Sequence, residues 1–192
     1  MKHGLLETYE FRKLLKITGI FVLLGLLFYF VKFGQWSWDI LLACALIWCV
    51  LEVNKNKNKE NLYNAIKIGA FLLVFDFVFE NSGWIFGLWQ TFSTVYVGVV
   101  PIQVMGIAFF GGIAWALYLP KKFNFWHSFP DALVFGLFGA LGEWLLIQQG
   151  LFVYKLWWTS ILAFFSYFLT WVLLHFIRYT VFKDRGASRK GR

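Results

Sequence analysis

The sequence predicts an all-α protein, a polytopic membrane helical bundle with six transmembrane helices and both termini in the cytoplasm. Three observations predict this fold class. Hydrophobic residues make up 60% of the 192 residues and charged residues 15%. In a soluble domain, about 45–50% of the residues are apolar and about 25% are charged. Six apolar stretches are long enough, or nearly long enough, to cross a bilayer as helices. The basic residues are distributed unequally between the connections at the two ends of these stretches, which is how membrane proteins encode orientation.

The six predicted spans follow one another without an intervening soluble domain, so one transmembrane domain covers residues 1–183 and a basic cytoplasmic tail covers 184–192. Pro130 suits the first turn of the fifth helix. Pro101 lies within the fourth and predicts a kink or an N-terminal break there. The third span lengthens if 82–88 stays helical. The predicted spans are 14–33, 36–53, 65–80, 95–119, 130–149 and 156–182.

The orientation follows from the lysines and arginines. With the N-terminus inside, 16 of the 18 basic residues fall on the cytoplasmic side, and the outer side has Lys32 and Lys155. This asymmetry predicts an integral, multi-pass protein of the cell membrane. The formal charge of +8 therefore reports orientation, with some attraction to anionic membrane lipid. No nucleic-acid partner is expected.

Acidic residues within apolar spans are the first functional candidates, because an ionisable group in hydrocarbon is costly. Asp76 and Glu80 lie one helical turn apart near the outer end of the third span, and Glu143 lies in the outer part of the fifth. Burial of one carboxyl group beside another favours its protonated form, so one member of the Asp76/Glu80 pair can act as a proton donor. With Glu143, also an acid within a span, these are the candidate catalytic residues. Two simpler interpretations stay open. The acids, including Asp39, can reach interfacial water, and Glu143 can join helices through the small residues beside it.

The predicted outer connections combine glycine with clustered aromatic residues, and two of them follow a glutamate: Glu80 precedes one and Glu143 the other. An interfacial aromatic belt has this composition. A faint duplication of helical hairpins would also produce it. The candidate substrate-binding side chains in this region are Trp84, Phe86, Trp89, Gln103 and Trp144.

Metal and redox chemistry have no support in the sequence. The three histidines show no metal-binding spacing. We interpret His175 as an interfacial residue beside Arg178. Cys44 and Cys49 lie in one predicted helix, about 100° out of phase, so we interpret them as small packing residues. No cofactor and no metal are expected.

One segment carries a family resemblance. Glu80, Gly83, Phe86-Gly87 and Trp89, followed by Gly98-Val99-Val100-Pro101-Ile102, resemble part of the small lycopene cyclases and the carotenoid hydratases. The resemblance covers about residues 76–110 and implies chemistry on an isoprenoid in the membrane. Gln103 and Val104 stand where the cyclases have paired glutamates. Residues 143–158 also resemble a pattern in small bacterial multi-pass membrane proteins of unknown function.

Three functions are compatible with these residues. The first is binding or modification of an isoprenoid or other lipid-like small molecule in the outer half of the bilayer, where an acid protonates an alkene and aromatic faces stabilise the cation. The second is a non-catalytic membrane subunit or assembly factor. The third is a small proton-coupled transporter in which the acids relay protons. The sequence leaves the substrate, the oligomeric state and the choice among these functions open.

Overall fold

The computed structural model describes residues 9–56 and 58–182, so the predicted basic tail at 184–192 lies outside the described residues. The described chain is predominantly helical. After α6, the last turn widens into a π-helical turn, Ile177–Val181. The helices are α1 (Tyr9–Phe30), α2 (Trp36–Lys55), α3 (Lys59–Ile85), α4 (Ile102–Tyr118), α5 (Phe125–Gln148) and α6 (Ser160–Phe176).

Five of these helices are long and apolar enough to cross a membrane: α1, α2, α3, α5, and α6 with its π-helical turn. The sixth, α4, has 17 residues, which corresponds to about 25 Å at 1.5 Å per residue. Large apolar side chains stay exposed along the helices, including Leu23, Val78 and Leu169. Such a surface suits lipid rather than water. The fold therefore indicates an integral membrane protein.

Successive helices run in alternate directions, so the described connections gather at two ends of the bundle. At one end, the side-chain oxygen of Gln149 accepts hydrogen bonds from the Gly34 amide at 3.1 Å and the Ser37 hydroxyl at 2.6 Å. We call this the strand end, because the short strands lie there. At the other end, Lys55 of α2 and Lys121 after α4 line one cavity. We call this the basic end.

Helix α4 occupies the centre of the bundle. All its residues from Gly112 to Tyr118 are buried, and Trp115 is fully buried. Glycine allows the close approach of α3, since a Cβ added at Gly112 would lie 3.0 Å from the Gly69 Cα. A helix surrounded by protein has its polar backbone and side chains shielded from lipid by its neighbours.

Helix α4 begins later than predicted. The sequence predicts a span from residue 95, but residues 96–101 form a hairpin of β2 (Tyr96–Val97) and β3 (Val100–Pro101). Gly98 has a φ of +65° at the turn, a conformation that glycine adopts without steric cost. Pro101 then immediately precedes the helix. Of the two expectations for this proline, the N-terminal break is the one observed.

Helix α5 begins earlier than predicted, and Pro130 lies inside it rather than in its first turn. The helix starts at Phe125 because the Asn124 side chain accepts a hydrogen bond from the Trp126 amide at 3.1 Å, which is the role of an N-cap. Asp131, directly after the proline, is therefore more than one turn inside the helix and fully buried. The predicted span 130–149 would place this residue in the first turn instead.

Short strands interrupt the predicted all-helical pattern at the strand end. Strand β1 (Trp89–Thr91) pairs antiparallel with β4 (Phe152–Tyr154), with Gln90 opposite Val153. Helix α6 consequently begins at Ser160, after β4, rather than at residue 156. Helix α3 is longer than predicted at both ends, from Lys59 to Ile85. The strand pair joins the connection after α3 to the connection after α5.

Candidate functional site

The three acids selected from the sequence lie together near the strand end. Asp76 and Glu80 are on α3 and Glu143 is on α5, and the charges of both glutamates act on Asp76. The Glu80 charge also acts on Glu143. We call these three side chains the carboxyl cluster. In the described part of the chain, no lysine, arginine or histidine lies within ion-pair distance of them.

Glu80 is held by the strand that follows its own helix. Its Oε2 accepts hydrogen bonds from the Trp89 indole Nε1 at 3.1 Å and from the Thr91 hydroxyl at 3.5 Å. Both donors belong to β1. The side chain is buried, and these two donors compensate part of the cost of removing the carboxyl from water.

Glu143 is held in a similar way. Its Oε2 accepts a hydrogen bond from the Tyr154 hydroxyl at 2.7 Å, and its Oε1 accepts one from the Tyr167 hydroxyl at 2.9 Å. Tyr154 belongs to β4, the strand after α5, while Tyr167 comes from α6. Gly139 leaves the space for Tyr167, because a Cβ at Gly139 would lie 2.6 Å from that ring.

Asp76 differs from the two glutamates. Its Oδ2 is buried and has no hydrogen-bond partner. A buried polar atom without a partner is uncommon and is often found where a bound molecule or a reaction would use it. Asp76 is therefore the member of the cluster that is available to a ligand.

An aromatic wall adjoins the carboxyl cluster. The rings of Trp89 and Trp158 lie 4.5 Å apart, and Phe79 lies 5.0 Å from Trp89. Trp89 fits directly against α3, since a Cβ at Gly83 would lie 2.0 Å from the indole. The Nε1 of Trp158 is buried without a hydrogen-bond partner. The wall offers ring faces and one unused donor close to three carboxyl groups.

The residues predicted to bind substrate occupy three different places. Trp89 is in the aromatic wall. Trp84, Phe86 and Trp144 are exposed, at 52%, 69% and 37%, and Trp144 stacks on a ring of α1. Gln103 is buried in a separate polar group, where its Nε2 donates to Asp39 Oδ1 at 3.2 Å.

The two glutamates occupy similar places in two helix–strand segments. In each half, a helix ends shortly after the glutamate, and a three-residue strand returns an aromatic donor to it: Trp89 to Glu80, and Tyr154 to Glu143. The two strands pair antiparallel, with these donors directly opposite each other. Of the two interpretations of the aromatic connections, this geometry favours a duplicated hairpin. The repeat is imperfect, since Gly139 stands four residues before Glu143 where Asp76 stands before Glu80.

A second polar group, not identified from the sequence, joins α4, α5 and α6 nearer the basic end. Asp131 Oδ2 accepts a hydrogen bond from Trp115 Nε1 at 2.8 Å and lies 3.0 Å from His175 Nε2. Asp131 Oδ1 and His175 Nδ1 are buried without partners. His175 is 4% exposed, which contradicts its interpretation as an interfacial residue. The signal in the sequence was Asp131 itself, an acid beside a proline in an apolar run.

Within residues 9–56 and 58–182, no group of three or more His, Cys, Asp or Glu side chains could hold a metal ion. The carboxyl cluster consists of separate acids whose donors are tyrosine, threonine and tryptophan. What it can do is hold, donate and accept protons beside aromatic faces. Comparison of the chain with family models, with curated proteins and with solved structures gives no match.

Proposed function

We propose that this protein binds and modifies an isoprenoid or other lipid-like small molecule at the carboxyl cluster, in the outer half of the cell membrane. The proposal includes six membrane spans, with α4 as the sixth, and cytoplasmic termini. The separation of a basic end from a strand end supports that orientation, because the positive-inside rule assigns the basic end to the cytoplasm. The carboxyl cluster then lies towards the outer surface.

The observation that carries the proposal is the buried Asp76 Oδ2, without a hydrogen-bond partner and beside two carboxyl groups that are each held by two donors. Three carboxyl groups without a nearby cation cannot all be ionised in an apolar bundle at low cost. A proton retained on Asp76 has no competing acceptor on Oδ2. That proton is available to the π-electrons of an alkene.

The aromatic wall supplies the second requirement of such a reaction. Transfer of a proton from Asp76 to one carbon of a double bond leaves a carbocation on the other carbon. The faces of Trp89 and Trp158 stabilise positive charge through their ring quadrupoles. Loss of a proton from a neighbouring carbon to the Asp76 carboxylate completes an isomerisation or cyclisation and restores the acid.

The test uses the protein reconstituted in lipid vesicles with linear isoprenoid polyenes, followed by chromatography and mass spectrometry of the extracted lipid. The wild type should change the polyene, and Asp76→Asn should abolish the change because the amide cannot donate the required proton. Asp39→Asn is the matched control, since Asp39 lies at the same end but hydrogen-bonds to Gln103. Equal turnover by wild type and Asp76→Asn would contradict the mechanism.

Proton-coupled transport is the second candidate, and one observation favours it. Helix α5 carries two buried acids, Asp131 and Glu143, which are 12 residues apart and so separated by about 18 Å along the helix. Titratable groups at two depths are typical of proton relays. Asp131→Asn should then reduce pH-driven proton flux into vesicles that contain a trapped pH dye, whereas an enzyme confined to the carboxyl cluster would keep its polyene turnover. Absence of both activities would favour the non-catalytic subunit.

A further inference from the structure

The carboxyl cluster lies between two groups of helices that each pack closely within themselves. Helix α4 packs on α2 and α3, and α5 packs on α6 and α1. Glycine brings backbones together inside each group: a Cβ at Gly112 would lie 3.0 Å from the Gly69 Cα, and one at Gly136 would lie 3.1 Å from the Phe168 Cα. In the described residues, α3 and α6 have no comparable backbone packing. Side chains therefore fill the space between α3 and α6, which we call the junction.

Two buried polar atoms without hydrogen-bond partners lie at the junction near the strand end. One is Asp76 Oδ2 on α3, and the other is the Nε1 of Trp158, just before the N-cap of α6. Both side chains are only half-buried, although these two atoms are covered. The atoms therefore lie just beneath the surface of the bundle, where a lipid can reach them by displacing side chains rather than helix backbones.

The two atoms share the same aromatic surroundings. Phe79 follows Asp76 by three residues, which places it on the same side of α3, and its ring lies 6.4 Å from that of Trp158. Trp158 in turn lies 4.5 Å from Trp89, which donates to Glu80. The aromatic wall thus extends from the acids to the unused indole N–H.

The chemistry of these groups selects a class of ligand. An indole N–H is only a donor, so its partner must be an acceptor, and a hydrocarbon has none. An anionic group is disfavoured, because three carboxyl groups adjoin the site and no cation of the described residues lies within ion-pair distance of them. A neutral hydroxyl or carbonyl oxygen meets both conditions.

We infer that the ligand of the carboxyl cluster is a neutral, oxygenated isoprenoid or similar lipid, whose hydroxyl or carbonyl oxygen accepts a hydrogen bond from Trp158 Nε1. The inference rests on the proposed binding of a lipid-like molecule at this cluster and adds the polar group that the molecule carries. Trp158 is then a specificity-determining residue, and the proton of Asp76 is left for the alkene. Because the oxygen anchors one end of the lipid chain, it fixes which double bond faces that proton.

Binding to the protein in lipid nanodiscs tests the inference, with radiolabelled ligands that share one isoprenoid chain. The ligands are geranylgeraniol, geranylgeranial, geranylgeranyl diphosphate and the hydrocarbon of the same chain without oxygen. The alcohol or the aldehyde should bind about tenfold more tightly than the hydrocarbon, because a hydrogen bond to a buried donor is worth about that factor. The tighter of these two identifies the oxygen group. Equal binding of the hydrocarbon, tightest binding of the diphosphate, or no saturable binding by any ligand would overturn the inference.

Trp158→Phe locates the donor, because it keeps an aromatic ring and removes the N–H. This variant should bind the oxygenated lipids no more tightly than the hydrocarbon. Its affinity for the hydrocarbon should be unchanged, which shows that the variant is folded. Trp157→Phe is the matched control, since Trp157 is the neighbouring indole and is 63% exposed, and it should keep the preference of the wild type. A preference that survives in Trp158→Phe would overturn the inference.

Turnover of the same ligands separates this inference from the proposed reaction. If the oxygenated lipids bind preferentially through Trp158 but are not changed chemically, the reaction at Asp76 is wrong and the inference stands. If the wild type binds and changes the alcohol and the hydrocarbon equally, and Asp76→Asn abolishes both changes, the reaction is right and the inference is wrong.

Discussion

Gly83→Ala is the sharpest test of how the carboxyl cluster is held. The added Cβ would lie 2.0 Å from two atoms of the Trp89 indole, so the indole must move. Trp89 is 3% exposed and packs on Trp158 at 4.5 Å, which leaves little room for movement. Any displacement also lengthens the 3.1 Å hydrogen bond from Trp89 to Glu80. A single methyl group should therefore disturb both the aromatic wall and the carboxyl that it supports.

The magnitude follows from three contributions. Overpacking a core costs about 1–3 kcal/mol, and losing the hydrogen bond costs about 1 kcal/mol. Alanine is favoured over glycine within a helix by about 1 kcal/mol, which offsets the second cost. The net loss of about 1–3 kcal/mol corresponds to a fall in melting temperature of roughly 2–12 °C for a chain of this length.

The assay is thermal unfolding in detergent, monitored by tryptophan fluorescence. Gly142→Ala is the matched control, because Gly142 is also inside a helix but a Cβ there would meet nothing within 4 Å. That variant should be as stable as wild type or slightly more stable. The fluorescence spectrum should change for Gly83→Ala and not for the control. Equal melting temperatures for the two variants would refute this account of the close contact at Gly83.

Three further predictions concern individual hydrogen bonds and the effect of pH. Asp131→Leu removes the acceptor of the 2.8 Å bond from Trp115 and should lower the melting temperature by several degrees more than Asp131→Asn, which keeps an acceptor. Tyr167→Phe removes the 2.9 Å bond to Glu143, and chemical unfolding should show a loss of about 1–3 kcal/mol; no loss would mean that this bond does not position Glu143. Burial, and then the nearby Glu143 charge, raise the pKa of Tyr154 above its ordinary value of 10.0. Because the folded state holds this proton more tightly than the unfolded state, the contribution of Tyr154 to stability is complete below pH 10 and decreases as pH rises above it. Tyr154→Phe should show a smaller decrease in melting temperature between pH 9 and 11, and an identical decrease would contradict the assignment.

Much of the helical framework could be predicted from apolar run lengths, because a membrane demands long helices with satisfied backbones. The residues at which the helices begin and end could not be predicted in this way. Residues 95–101 are as apolar as a span, yet Gly98 and Pro101 make a hairpin there. The start of α5 depends on one side-chain cap at Asn124, and a single hydrogen bond of this kind cannot be deduced from apolar composition.

The candidate site was predictable where it depends on local spacing and not where it depends on pairing between distant segments. The helical period places Asp76 and Glu80 on one face, and their distance along the chain from the basic clusters agrees with their position near the strand end. The donors to Glu143 come from β4 and α6, and no local pattern connects them with it. The contact between Asp131 and His175 spans 44 residues, so each looked isolated in the sequence.

The β1–β4 pair has a consequence for how the protein is made. The Lys155 amide donates to the Leu88 carbonyl at 2.7 Å and the Phe92 amide donates to the Leu151 carbonyl at 2.9 Å, so each strand needs the other. During synthesis, α3 and β1 leave the ribosome about 60 residues before β4, which takes several seconds at about 5–20 residues per second. Glu80 enters the bilayer before Glu143, β4 and Trp158 exist. A ribosome-bound chain that stops before residue 150 should therefore hold an incomplete carboxyl cluster, and insertion of the hairpin formed by α5 and α6 completes it.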